Sequence, residues 1–402
     1  MVTVVALVLA ALVIAPSLAS AYLLLLTVCS GIRKPAPPGT FRTRFDVIVP
    51  AHDEEGGIVA TISSLQAIEY PRALYRIIVV VDNCHDRTAE LARQAGASVL
   101  VRDDPEHAGK GRALAFAFER VIAEDRDAVV VIDADTIVSP NLLAAFDLHL
   151  QRGAKAVQCD YAVRNCGASW RTLLMAIALG SFHVLRSRGR ERLKASCGLR
   201  GNGMCFAVPL LRDVRYDAFS IVEDLEYGIR LGEAGHRVVY APETHVYGEM
   251  VTGEQASRSQ RRRWEGGRAR MRGRGWSMLA AAARRGDRVL LDLAIDVLLP
   301  PLSTLVLVVA LGAGASCILA SLGAGWAVRT DLALWGSCGA CLLIYLIRGW
   351  QLSGTGARGL LSFVHVPGYV LWKLVLVLRR DRGRGSWVRT AREGGPGGPV
   401  PS

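Results

Sequence analysis

The residues best suited to chemistry in this sequence are acids that close apolar runs. Asp133-Ala134-Asp135 ends the run Ala128 to Ile132, Asp82-Asn83 ends Arg76 to Val81, and Pro50-Ala51-His52-Asp53-Glu54-Glu55 ends Phe45 to Val49. Two carboxylates so close are costly unless a divalent cation or a proton shares them. A metal-bound nucleotide phosphate would supply the cation; a solvated turn is the plain alternative, since Asp is a common turn residue. Gly109-Lys110-Gly111-Arg112 adds a cation at a predicted helix start, suited to a phosphate or simply to water. It is not a P-loop, because no Gly stands five residues before Gly109 and no Ser or Thr follows Lys110.

These acids can act together only if the elements before them deliver them to one edge. The pattern predicts strands over 45–49, 76–81, 98–101 and 128–132, alternating with helices over about 57–68, 87–95 and 111–123. Such alternation implies right-handed crossovers and an α/β, Rossmann-like sheet. Ligands of that class sit outside the carboxyl ends of the strands, where three of the four predicted strands place acids. Farther on, Glu223 and Asp224 open a predicted helix over 223–231, either as helix-capping acids or as a reactive pair. Gln260, Arg263 and Trp264 are spaced to share one helix face, where Trp could stack on a sugar or base and Arg could meet a diphosphate.

In this order the motifs resemble the membrane-bound family 2 glycosyltransferases, the group of cellulose-, hyaluronan- and chitin-synthase-like enzymes, over about residues 45–264. Pro50-Ala51-His52-Asp53-Glu54 is similar to the family's P-x-x-N-E segment, with Asp53 where Asn is usual. Asp133-Ala134-Asp135 matches D-x-D, Val222-Glu223-Asp224 resembles T-E-D, and Gln260 to Trp264 fits Q-x-x-R-W. The resemblance implies a GT-A fold with a mixed, mainly parallel sheet, and an inverting transfer from a nucleotide sugar, with a UDP-linked donor expected. It implies that Asp224 is the catalytic base beside Glu223, and that Asp135 holds a divalent cation, Mg²⁺ or Mn²⁺. Pro50, His52, Glu54, Asp82, Lys110, Asp133, Asp135 and Asn202 are the implied nucleotide-sugar contacts. Gln260, Arg263 and Trp264 are the implied acceptor and diphosphate contacts.

The rest of the chain points to a membrane. Of 402 residues, 51% are hydrophobic, the mean hydropathy is +0.27 and the formal net charge is +12. Residues 2–30 carry no charge and are long enough to cross roughly 30 Å of hydrocarbon. A cleaved signal peptide is the competing reading, but no Lys or Arg precedes the run, while Arg33, Lys34, Arg42 and Arg44 follow it. By the positive-inside rule the catalytic part is expected in the cytoplasm, on a multi-pass protein of the plasma (inner) membrane. Arg258 to Arg274 holds eight arginines against Glu265, some of them suited to lipid headgroups. No zinc-finger spacing or groove-reading module supports a nucleic-acid partner. The nine cysteines form no secreted-type framework; Cys338 and Cys341 lie among small residues that suit close helix packing better than redox chemistry.

The expected organisation is an anchor at 1–30, a Pro-rich linker at 31–44, a catalytic domain at 45–275 with an interfacial helix at about 170–185, a membrane region at 276–380, and a tail at 381–402. Spans are expected at about 297–322 and 332–350, the first as one tilted helix beginning near Val289. An interfacial or third spanning segment is expected at about 360–378. Acceptors consistent with this layout are a glycan or a lipid-linked sugar; a polymer exporter with so few spans would need self-association or an export partner. A reading from another class is a transporter or channel subunit with a nucleotide-sensing domain. Its spans should then carry polar residues, and Asp292, Asp296 and Lys373 come nearest to that.

Overall fold

The computed structural model describes residues 2–31, 40–250, 252–253, 266–321, 326–366 and 368. Most of the expected linker, the Gln260 to Trp264 motif, most of the expected segment at 360–378 and the tail lie outside those residues. Eight strands form one sheet: β1 (Phe45–Ala51), β2 (Tyr75–Asp82), β3 (Ser98–Arg102), β4 (Ala128–Val131), β5 (Thr136–Val138), β6 (Ala156–Val163), β7 (Met204–Ala207) and β8 (Val238–Gly248), in the order β3-β2-β1-β4-β7-β6-β8-β5. The first four pair in parallel, with Val47 opposite both Ile77 and Val130. Beyond β4 the sheet turns mixed: β7 runs antiparallel to β4 and β6, β8 parallel to β6, and β5 antiparallel to β8.

The four predicted strands form because runs of Val and Ile suit a pleat buried on both faces. Pro50 can stand in β1 because β4 pairs only as far as Ile48, leaving that part of β1 with β2 alone. Side chains alternate across the sheet: Val47 and Val49 pack with Ile58 and Ile62 of α2 (Ile58–Gln66), whereas Ile48 packs toward Leu114 and Phe118 on the opposite face. Each such fully buried side chain stabilises the fold by about 1.5–3 kcal/mol. α1 (Val2–Cys29) precedes the sheet, around which lie α3 (Thr88–Gln94), α4 (Lys110–Ile122), α5 (Leu142–Gln151), α6 (Trp170–Leu179), α7 (Arg186–Arg192), α8 (Val208–Asp213) and α9 (Glu223–Glu233).

The chain then departs from expectation. In place of one tilted helix from Val289 there are α10 (Arg272–Arg285), α11 (Arg288–Leu298) and, after Pro300-Pro301, α12 (Leu302–Ser321). Proline lacks an N–H and cannot continue a helix interior, so the expected span at 297–322 starts only at Leu302. Asp287 starts α11 by accepting from Val289 N and Leu290 N at 2.9 and 3.0 Å. The apolar faces of α10 and α11 then pack on α9 through Met278, Leu290, Leu293 and Ile229 rather than facing lipid.

Among the described residues three helices are long and apolar enough to cross a membrane: 11–29 of α1, α12, and 328–352 of α13 (Trp326–Leu352). Val13, Leu23, Leu26, Val309, Trp335 and Tyr345 bury their shared interface. Leu18, Leu311 and Leu343 stand exposed on the outside, as a lipid-facing surface requires. Cys338 meets Ser17 of α1 at 3.4 Å, and both it and Cys341 are free thiols, in keeping with a packing role.

The expected interfacial helix at 170–185 also differs. It continues through a π-helical turn, Gly180–Leu185, into α7, and Gly180 and Gly189 bring it against α13 and α1. A Cβ on Gly180 would stand 2.7 Å from Gly349 O. Arg186 and Arg190 are buried against Asp296 and Asp292 of α11. A short helix, α14 (Gly356–Ser362), follows α13.

Candidate functional site

The acidic loops meet at the carboxyl edge of the parallel strands. After β1, the His52 ring N–H donates to Asp82 O at 2.7 Å, tying the first loop to the end of β2. Asp53 takes a left-handed conformation with φ +53 and accepts from His85 N at 2.7 Å. Asn and Asp tolerate that conformation best among residues with a side chain, which explains how Asp serves at this position. Glu54 N donates to Thr88 Oγ1 at 2.8 Å while its carbonyl receives Gly57 N and Ile58 N at the start of α2. Gly57 passes close to the 133–135 loop, since a Cβ there would lie 3.4 Å from Ala134 O and 3.6 Å from Asp135 Cα.

Asp82 is 4% exposed and fully engaged. Its carboxylate accepts from Arg102 Nη1 at 2.6 Å, from Asn83 Nδ2 at 3.1 Å and from Gly109 N at 3.2 Å. Before any ligand contact, Asp82 therefore fixes the turn that presents Lys110. Gly109 has φ +133, which only glycine adopts readily. A Cβ on Gly111 would stand 2.3 Å from Ala218 O, so both glycines beside Lys110 are dictated by backbone geometry.

Lys110 then reaches across the edge. Its Nζ donates to Asp133 Oδ1 at 2.5 Å and to Gly201 O at 2.6 Å, and lies 3.7 Å from Glu223 Oε1. Burial works against the ammonium, but Asp133, Glu223 and Asp224 outweigh it and hold the proton more firmly than usual. Glu223 and Asp224 occupy the first turn of α9, with Asp224 Oδ1 accepting from Leu225 N at 2.8 Å. A Cβ on Gly201 would lie 3.5 Å from both Asp224 Oδ2 and Lys110 Nζ, so these two groups converge on one backbone turn. Burial raises the Asp224 carboxyl above its ordinary value; burial, opposed by Lys110 and assisted by Asp224, pushes Glu223 up to about 7.

Asn202 requires a correction. Expected as a donor contact, it is fully buried: its Oδ1 accepts from Asp133 N at 3.1 Å and its Nδ2 donates to Thr136 Oγ1 at 2.8 Å. It braces the 133–136 turn from behind. Gln260, Arg263 and Trp264 lie outside the described residues.

The site also includes residues that the motifs did not single out. Phe182, on the π-helical turn, carries three guanidinium groups within reach of its ring: Arg200 at 4.5 Å, Arg186 at 4.9 Å and Arg268 at 5.2 Å. Arg200 adjoins the Gly201 turn and acts electrostatically on Asp224. Its own pKa is lowered to about 10, first by burial and then by Arg190 and Arg268, with Asp296 opposing. His183 next to Phe182 stacks on Tyr161 at 5.6 Å, and burial, with Arg200 and Arg186, holds it well below the usual imidazole range. Only the apolar character of residues 170–185 is visible in sequence, and it gives no sign that Phe182 meets Arg200.

A divalent cation fits the hard-oxygen chemistry of this edge. Asp133 is bonded to Lys110, and Asp135 stands beside the amino end of α2, where its carboxylate would offer an oxygen ligand. Among the described residues the three-ligand cluster is elsewhere, at Asp53, Cys84 and Asp86. There, burial pushes the thiol up to about 11, and the cluster's hydrogen bonds close the loop after β1. A cation at Asp135 would accordingly have few protein ligands and share the diphosphate of its substrate.

Comparison with known proteins agrees with this geometry. The sequence profile described as glycosyltransferase like family 2 matches residues 43–267. The probable glycosyltransferase YdaM of Bacillus subtilis is 26% identical over 234 residues, 56% of this chain and 55% of that protein. The beta-monoglucosyldiacylglycerol synthase of Trichormus variabilis is 29% identical over 229 residues, 55% of this chain and 48% of that protein. The chain thus spans about half the length of the curated relatives it matches. The mannosyltransferase PcManGT from Pyrobaculum calidifontis, solved with GDP-Man and Mn²⁺, shares the fold at a TM-score of 0.53 and 18% identity, covering 87% of this chain and 99% of that one.

Proposed function

This chain belongs to glycosyltransferase family 2, and on that premise we propose that it is an inverting, metal-dependent enzyme that moves a sugar from a nucleotide sugar to a lipid or lipid-linked hydroxyl at a membrane face. The observation that carries this reading is the convergence of Lys110, Asp133, Glu223 and Asp224 on the Gly201 turn. In an inverting transfer the acceptor oxygen attacks the anomeric carbon as the nucleoside diphosphate leaves from the opposite side. Asp224 takes the hydroxyl proton, for which its raised carboxyl is a better match than an ordinary aspartate. Lys110 holds Asp133 and the α9 acids in register and balances part of their charge. A divalent ion, Mg²⁺ or Mn²⁺ at Asp135, offsets the negative charge of the departing diphosphate when bound.

The donor is expected to be UDP-linked, with the base and ribose lying along the loops after β1 and β2. A lipid acceptor is supported by the three apolar helices packed beside the catalytic domain and by the likeness to a glucosyldiacylglycerol synthase. On this reading the protein is a multi-pass component of the inner membrane with its catalytic domain in the cytoplasm. The finer likeness to cellulose, hyaluronan and chitin synthases rests chiefly on Gln260, Arg263 and Trp264.

The test is transfer by the full-length protein in nanodiscs, with a panel of nucleotide sugars and diacylglycerol or polyprenyl-phosphate acceptors, with and without Mg²⁺ or Mn²⁺. One donor should turn over in a metal-dependent way, with inversion at the anomeric carbon. Asp135→Ala and Asp224→Asn should each lower turnover by at least about 100-fold. Near wild-type rates in either variant, or metal-independent transfer, would reject the assignment.

A further inference from the structure

A second site lies away from the catalytic edge, at the amino ends of β6 and β8. A cavity of about 680 Å³ opens there, and its wall includes Gly31, two residues beyond α1. The volume lies within the range of small-molecule sites, roughly 300–1,000 Å³. Lys110, Asp133, Asp135, Glu223 and Asp224 take no part in its lining.

The cavity is basic. Arg152, Lys155, Arg188, Arg192, Lys194 and Arg237 line it, against the acids Glu191 and Glu243. Both acids are occupied: Arg237 Nη2 donates to the two oxygens of Glu191 at 2.7 and 2.9 Å, and His149 meets Glu243 at 2.8 Å. Each of the other five cations lacks a carboxylate partner among the described residues. Tyr240 and Arg188 also belong to the wall, with Tyr240 OH and Arg188 Nε and Nη1 themselves buried.

The position identifies the source of the anion. Gly189 packs so closely on α1 that a Cβ there would stand 2.7 Å from Leu26 O, which sets Arg188 and Arg192 beside the last turn of the apolar stretch 11–29. A phosphate lying where hydrocarbon ends meets these side chains without leaving the bilayer surface. Guanidinium groups bind phosphate bidentately and lysines add point charge. We propose that this cavity binds the phosphate headgroup of an anionic phospholipid from the leaflet at the carboxyl end of α1, with the acyl chains running along that helix.

The test is native mass spectrometry of the full-length protein titrated with phosphatidylglycerol or phosphatidylcholine, beside isothermal titration with inorganic phosphate. One phosphatidylglycerol per chain should be retained and phosphatidylcholine should not. The exposed double variant Arg192→Gln/Lys194→Gln should weaken retention about tenfold while donor hydrolysis stays unchanged. A control at a distant basic pair, Arg284→Gln/Arg285→Gln, should retain the lipid as the wild type does. Equal retention by the wild type and the cavity variant would overturn the proposal, as would an equal loss in the control. Tight binding of inorganic phosphate without retention of phosphatidylglycerol would overturn it in favour of a soluble phosphate ligand.

Discussion

Lys110 Nζ stands 2.5 Å from Asp133 Oδ1 and 3.7 Å from Glu223 Oε1, so a single ammonium joins the end of β4 to the first turn of α9. On the proposed assignment, the donor site and the acids beside the acceptor are thereby referred to the same cation.

Lys110→Met should accordingly damage both halves of the site. With the ammonium gone, nothing offsets the mutual repulsion of the acids, and Glu223 and Asp224 hold their protons to higher pH. We expect kcat/KM at neutral pH to fall about 100-fold and the acid limb of its pH profile to move upward. Lys110→Arg should recover part of the rate. A profile with an unmoved acid limb would show that Lys110 does not control these carboxyls.

Glu223 offers a stability measurement with a defined sign. Burial, with Asp224 reinforcing it and Lys110 opposing, raises its carboxyl from 4.5 to about 7. The folded protein therefore binds this proton more tightly than the unfolded chain. Its contribution to stability is fully present below pH 4.5 and is lost as pH rises through about 7. Glu223→Gln cannot ionise, so it should lose less thermal stability than the wild type between those two values. Parallel melting curves across that window would contradict the raised carboxyl.

Arg102 and Asp82 form a pair with both side chains under a tenth exposed, Arg102 Nη1 lying 2.6 Å from Asp82 Oδ1. Arg102→Met leaves the carboxylate buried and unpaired, which typically costs about 3–5 kcal/mol. Because Asp82 also accepts from Gly109 N, the loss should reach the Lys110 turn and raise KM for the donor. Arg102→Met with Asp82→Leu should regain much of the stability and none of the donor affinity. Recovery of both would mean that Asp82 serves the fold alone.

The parallel half of the sheet was legible because Val- and Ile-rich runs that end in acids fit little besides strands buried on both faces, and the placing of Asp82, Asp133 and Asp135 at one edge came with it. What those residues do was less legible. Asn202 sits between glycines in a loop, and only tertiary structure shows its amide spent on Asp133 N and Thr136 Oγ1. The antiparallel strand β7 is four residues long, too short for a period to declare itself. The long apolar helices were visible by length, but Asp292 and Asp296 were placed at the start of a tilted span, because nothing local in the sequence names what meets them. Their partners, Arg186 and Arg190, have the same four-residue spacing on an element about a hundred residues away.

Arg190 is where the catalytic domain meets the long apolar helix α1. It is fully buried, with Nη2 at 2.6 Å from Asp296 Oδ1, Nε at 3.2 Å from Asp292 Oδ2, and Tyr22 OH of α1 accepting at 3.0 Å. One guanidinium thus contacts α1 and α11 from α7, and its removal leaves both acids with fewer cations in a dry setting. Arg190→Met should cost about 3–5 kcal/mol, seen as a lower melting temperature and faster proteolysis between α11 and α12 in nanodiscs. Adding Asp296→Leu removes one orphaned charge and should return part of that loss, so the two substitutions together should be less damaging than their sum. A double variant as unstable as the sum would show that the two side chains act independently. The junction would then depend on Leu26 and Gly189 packing instead.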